Sequence, residues 1–199
     1  MRLYISLIAL VATFTSFAQK YPSTEWQIET AVLAAPEHER ETATVLGFES
    51  DGTLAILRKG SNDLICLADD PAHKGFSVAC YHDSLEPFMA RGRALKKEGK
   101  ESKEIFKIRE DEVKSGKLAM PERALLSVMT GQVNEETKAI EDTHLRWVFY
   151  IPFATSESTG LPLAAVAPGA PWIMDAGTHR AHVMITPPKK KVEKKASKE

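Results

Sequence analysis

An α+β fold is what this sequence predicts: a single domain in which a few helices cover an antiparallel β-meander clipped by one disulfide. Three observations carry the expectation. Between Thr42 and Ala79, short runs rich in β-branched residues alternate with turn signals, among them Asp51-Gly52 and Gly60-Ser61-Asn62-Asp63. From Ser84 the spacing becomes helical, with Leu85, Phe88, Met89 and Leu95 supplying an apolar face. Two cysteines, Cys66 and Cys80, each follow a strand-like run.

The elements follow in order. Residues 24–35 read as a first helix, capped by Thr24 and ended by Pro36. Thr42 to Phe48 and Thr53 to Leu57 are strands joined by the Glu49–Gly52 turn. The two cysteine strands follow, with Asp69-Asp70-Pro71 and Lys74-Gly75 turning the chain between them. Ser84 to Lys97 is a helix with Ser84 as its N-cap and Pro87 in its first turn. Glu101 to Lys114 reads as a second, highly charged helix, with a surface strand around 105–108 as the alternative. Pro121 to Met129 is expected as a short helix, and 134–142 as an exposed loop. Leu145 to Ile151, holding Trp147, Phe149 and Tyr150, is a strand. The segment 161–171 is too rich in Pro, Gly and Ala to assign. Short apolar segments at 172–174 and 181–185 flank Asp175–Thr178.

Residues 1–18 read as a secretory signal peptide. Arg2 precedes the mostly apolar stretch Leu3 to Phe14, and Ser16-Phe17-Ala18 places small residues where a signal peptidase reads. The apolar run is too short to span a bilayer, and no other run in the chain reaches the length of a membrane helix. No cysteine follows the expected cut after Ala18, which argues against a lipid-anchored lipoprotein. The domain then covers 19–186, and a lysine-rich tail expected to be disordered covers 187–199. The tail holds six lysines and two glutamates, and the leader one arginine. A net charge of −1 for the whole chain therefore leaves the body at −6. An acidic body argues against a nucleic-acid platform. The tail is suited to anionic lipid or polymer, or simply to solubility.

In an exported chain an isolated cysteine pair reads as a disulfide, so Cys66 and Cys80 are expected to be joined. The common catalytic signatures are absent: there is no G-x-S-x-G elbow, no phosphate-binding glycine loop and no H-E-x-x-H, since Thr42 stands where His38-Glu39 would need a second histidine. Met174 to Met184 is the richest cluster, with His179, His182, Asp175 and two thioethers. Imidazole and thioether suit a transition metal, so His179 and His182 are the metal candidates, with His144 or His82 and Asp83 as distant partners; the competing expectation is no cofactor at all. On an extended strand the two histidines would face opposite ways, so sharing a metal requires a turn between them. Tyr81-His82-Asp83-Ser84 holds triad residue types, but as sequence neighbours they suit a turn and a helix cap. Trp147 to Tyr150 and Trp172 are candidate pocket aromatics.

The run Ala34-Ala35-Pro36, then Leu57-Arg58-Lys59-Gly60-Ser61-Asn62-Asp63, the spaced cysteines, Pro171-Trp172-Ile173-Met174 and Ala181-His182-Val183-Met184-Ile185 together resemble a group of small exported bacterial proteins of unknown function. The resemblance implies export and a paired Cys66–Cys80, and it carries over no catalytic residue. The function expected is that of an exported, periplasmic or secreted, non-enzymatic protein that binds a small ligand or an envelope component, with Trp172, His179 and His182 as binding residues. The alternative is an exported hydrolase using His82, Asp83, His144 or His182 as acid or base. A purely structural envelope protein held by its tail is the third class.

Overall fold

The computed structural model describes residues 21–189. The expected signal peptide, and the tail beyond Lys189, lie outside the described residues. Eight strands form one sheet in the order β2-β1-β3-β4-β5-β6-β8-β7. They are β1 (Thr44–Phe48), β2 (Leu54–Arg58), β3 (Leu64–Leu67), β4 (Phe76–His82), β5 (Ala124–Val133), β6 (Ile140–Tyr150), β7 (Trp172–Met174) and β8 (His182–Ile185). The helices are α1 (Thr24–Ala31), α2 (Glu86–Lys97), α3 (Ser102–Lys114) and the single turn α4 (Ser156–Thr159). The fold is α+β, with a mostly antiparallel sheet and the Cys66–Cys80 disulfide.

One strand pair departs from a simple meander: β3 lies beside β1 and runs parallel to it. The chain leaves β2 and crosses the start of β1 before turning into β3. Gly60 permits the crossing, because a side chain there would collide with the backbone of Thr42 to Thr44. The crossing is fastened by Ser61 N–H and Asn62 N–H, which both donate to Thr42 O.

Each sheet face has its own cover. On one face α1 and the 3₁₀ turn Val32–Ala34 pack on Val45, Cys66, Val78 and Cys80. On the other, α2 and the α2–α3 hairpin pack on Tyr81, Leu126, Val148 and Tyr150. Arg91 on α2 holds Glu112 on α3 with both ends of its guanidinium, at 2.7 to 3.1 Å. Ser23, not Thr24, caps α1, by accepting from Trp26 N–H. The α2 entry likewise differs from expectation. A 3₁₀ turn, Asp83–Leu85, precedes the helix, and His82 Nδ1 accepts from Ser84 N–H.

The segment expected as a helix at 121–129 is instead the central strand β5, paired with β4 and β6 along its length. Ala124, Leu125 and Leu126 are good helix formers, but alternation decides the state. Ala124, Leu126 and Val128 face α2 and α3, while Leu125 and Met129 face the other way. The loop expected at 134–142 shrinks to a short turn, because Ile140 already pairs with Val133.

Gln27 ties α1 to the sheet. It is fully buried, and its side-chain amide donates to Pro22 O and Phe48 O at 2.9 and 2.8 Å while its carbonyl accepts from Phe48 N–H at 2.7 Å. Gln27→Leu leaves three backbone groups without these partners, and a loss of about 2 kcal/mol is expected. Urea unfolding checks it; a variant as stable as the parent would show that these bonds are replaced by water.

Candidate functional site

The clearest cavity lies on the α1 face of the sheet, beyond the point where the first helix stops. The helix ends at Ala31 and the chain turns away through Val32–Ala34. That leaves β5 and β6 uncovered there. The resulting groove is about 680 Å³, within the range that small molecules occupy. Leu64, Cys80, Ser127, Met129, Leu145 and Trp147 form its sides and floor, with Leu33 to Pro36 as one wall. A second hollow continues from it, sharing Met129, Leu145 and Trp147 and ending at Pro187 to Lys189.

Strand register explains the lining. Ser127 pairs with Trp147 and Met129 with Leu145, so these side chains share one face. Trp147 is half-buried at the junction of the two hollows. Neither its indole N–H nor the Ser127 hydroxyl has a protein partner among the described residues. Leu125, 47% exposed, extends the apolar surface. Arg123 stands exposed at the rim with no ion pair among the described residues, whereas Arg40 is engaged with Ala35 O and Leu33 O.

Of the residues singled out from the sequence, Trp147 and His82 line the groove and His144 lines the second hollow, whereas Trp172, His179 and His182 lie elsewhere. Trp172 pairs with Met184, on the opposite face of the sheet, which packs against α2 and α3. His182 begins β8 on that same face. It is 6% exposed, its Nδ1 bonds Arg180 O at 2.7 Å, and its ring leans on Tyr150 at 5.3 Å. His179 sits in the preceding turn, with no solvent exposure, edge-on to Phe88 at 5.6 Å and to Phe106 at 4.7 Å. The turn Thr178–Ala181 therefore intervenes between the histidines, closed by Ala181 N–H on Thr178 O. Both belong to one chain of rings: Phe106, His179, Phe88, Tyr150, His182.

Electrostatics in this chain of rings oppose a cation. The Arg109 guanidinium lies over Phe88 at 4.0 Å, and Arg180 over Phe106 at 5.2 Å while it pairs with Asp175 at 2.7 Å. Burial, then Arg109, hold His179 down at about 4, against an ordinary 6.5. Burial also lowers His182. Both ring nitrogens of His179 are buried without a hydrogen-bond partner among the described residues. No group of three or more His, Cys, Asp or Glu suited to a metal gathers among those residues.

The hydrolase candidates are not brought together: His82 lines the groove, His144 lines the second hollow, and His182 lies on the opposite face of the sheet. His82 Nδ1 bonds the Ser84 hydroxyl at 2.8 Å and lies 3.2 Å from Asp83, all within one turn. His144 Nε2 bonds Pro187 O at 2.6 Å. Trp147 was visible in the sequence as a pocket aromatic, and His82 and Cys80 by their chemistry, but the apolar residues between them were not. Leu125-x-Ser127-x-Met129 beside Leu145-x-Trp147 marks the groove only once β5 is known to be a strand. No family model matches the chain, and neither a curated protein nor a solved structure shows significant similarity to it.

Proposed function

We propose that this chain is an exported, non-enzymatic binding protein that holds a small amphipathic organic ligand in the Trp147 groove. The observation that carries the reading is Trp147 itself. A half-buried indole stands in a largely apolar trough beside the Ser127 hydroxyl, and neither its N–H nor that hydroxyl has a partner among the described residues. Such a site offers area to an apolar body and a few polar contacts to orient it. Met129, Leu145 and Trp147 take the apolar part. Arg123, exposed at the rim without an ion pair among the described residues, favours a ligand that ends in a carboxylate or another anion. His144 and His182 are bonded to backbone carbonyls and His82, in the groove lining, is bonded to Ser84 within its own turn, an arrangement that favours binding over acid–base chemistry. The Cys66–Cys80 disulfide supports an oxidising compartment.

A fluorescent long-chain carboxylate titrated into the oxidised protein tests the reading. Trp147→Ala is expected to weaken its binding by about tenfold or more, and Arg123→Gln by less. Both sites are solvent-accessible, so the variants should unfold within a few degrees of the parent. Unchanged affinity in Trp147→Ala would overturn the assignment of the groove.

A further inference from the structure

We infer that the protein docks on anionic lipid bilayers through the loop between α4 and β7 together with the lysine-rich tail rooted beside it. From Ser158 to Met174 the chain carries no charge. Every residue from Leu163 to Pro168 is apolar and every one is exposed, Leu163 by 64% and Val166 by 78%. An apolar stretch of this kind normally tucks inward. Here backbone bonds hold it out: Ile173 N–H donates to Pro162 O at 2.9 Å, and Ala170 N–H to Ala167 O at 3.0 Å. The loop is thus an ordered apolar projection without the charged rim typical of a protein-binding patch.

The tail supplies the second signal. Gly169, in the left-handed conformation at φ +82°, lies against Pro187 and Pro188, so near that a Cβ there would be in van der Waals contact with Pro188. The root is fixed to the sheet by the bond between His144 Nε2 and Pro187 O. Lys189 is exposed immediately afterwards, and the tail from there carries six lysines against two glutamates. The loop's apolar tip and the start of the cationic segment therefore lie on the same side of the molecule. One weak apolar insertion rarely holds a protein on a membrane, whereas one insertion plus a polybasic segment does. The acidic body, at −6, is repelled by an anionic surface, so only the loop-and-tail side can approach. A protein partner would need complementary charges or a pocket for the tip, whereas a bilayer needs neither.

Cosedimentation of the chain from Gln19 to Glu199 with vesicles tests this. The chain is expected to bind vesicles containing phosphatidylglycerol and to leave them at high salt, with little binding to pure phosphatidylcholine. Neutralising Lys190, Lys191, Lys194 and Lys195 to glutamine is expected to cut binding by about tenfold or more. The double change Leu163→Ser and Val166→Ser should cut it severalfold at constant salt, without altering the unfolding temperature. Trp147→Ala should bind vesicles as the parent does, which separates this surface from the groove. Absence of binding to anionic vesicles would overturn the proposal. So would a loop variant that binds as the parent does, since that would reduce the effect to adsorption of the tail alone.

Discussion

Replacing Cys66 and Cys80 together by alanine is expected to lower the stability of the fold by about 3 kcal/mol. The two residues stand directly opposite each other across β3 and β4, and their bond closes a loop of sequence separation 14. Much of the effect arises in the unfolded chain, which regains the conformations that the closed loop denies it. Both residues are buried, at 0% and 3% exposure, under Ala31 and beside Val45 and Val78. The truncated side chains leave unfilled space there, which adds to the loss. A consequence reaches the groove, because Cys80 is part of its lining and β3 supplies Leu64. Reduction of the parent protein should therefore lower both its unfolding midpoint and its affinity for the amphipathic probe. Urea titration of the oxidised, reduced and double-alanine forms checks this. A difference below about 1 kcal/mol would mean that the packing of β3 on β1 and β4 suffices to hold this corner.

The region around that disulfide was legible because its signals are local. Asp-Gly and Gly-Ser-Asn turns punctuate β-branched runs, and the cysteine pair joins adjacent strands. The parallel placement of β3 was not legible, since Gly60 shows only as a turn residue until Thr42 is seen beneath it. The helix expected at 121–129 failed for a similar reason. Helix propensity is a property of Ala124-Leu125-Leu126, but strand pairing on both sides is a property of the whole sheet, and pairing outweighs tenths of a kcal/mol per residue. The site follows the same division. Trp147 stands out by its chemistry, yet the groove exists because α1 ends at Ala31, far away in sequence. His179 and His182 stand out as metal-ligand types, yet their burial against Phe88, Phe106 and Tyr150 depends on how α2 and α3 close over the turn before β8.

That burial makes the protein acid-sensitive in a specific window. His179 is surrounded by Phe88, Phe106 and the guanidinium of Arg109, with Arg180 also opposing its charge and Glu110 and Asp175 favouring it. Burial, the largest influence, and Arg109 set it at about 4, below the ordinary 6.5. The folded state thus binds fewer protons than the unfolded state between these values. His179 costs no stability to acid above pH ~6.5. Below that pH the folded state loses ground by at most about 1.4 kcal/mol per pH unit from this one proton, and the loss levels off near pH ~4. His182, lowered in the same direction, steepens the fall. The Arg91–Glu112 pair acts separately: Arg91 holds Glu112 below its ordinary carboxylate value, so that pair weakens only at stronger acidity. His179→Leu keeps the volume and removes both unpartnered ring nitrogens. At pH ~7.5 it is expected to be more stable than the parent by about 1 kcal/mol, the desolvation cost of those atoms being relieved. Its advantage should widen steadily as the pH falls toward ~4, because the parent weakens and the variant does not share that proton. Unfolding midpoints of parent and variant measured along one pH series decide the matter. Parallel curves would mean that the imidazole is charged in the folded state. It would then be held by a partner such as Glu110 or Asp175, and the turn before β8 would be an ion-paired joint instead of an apolar one.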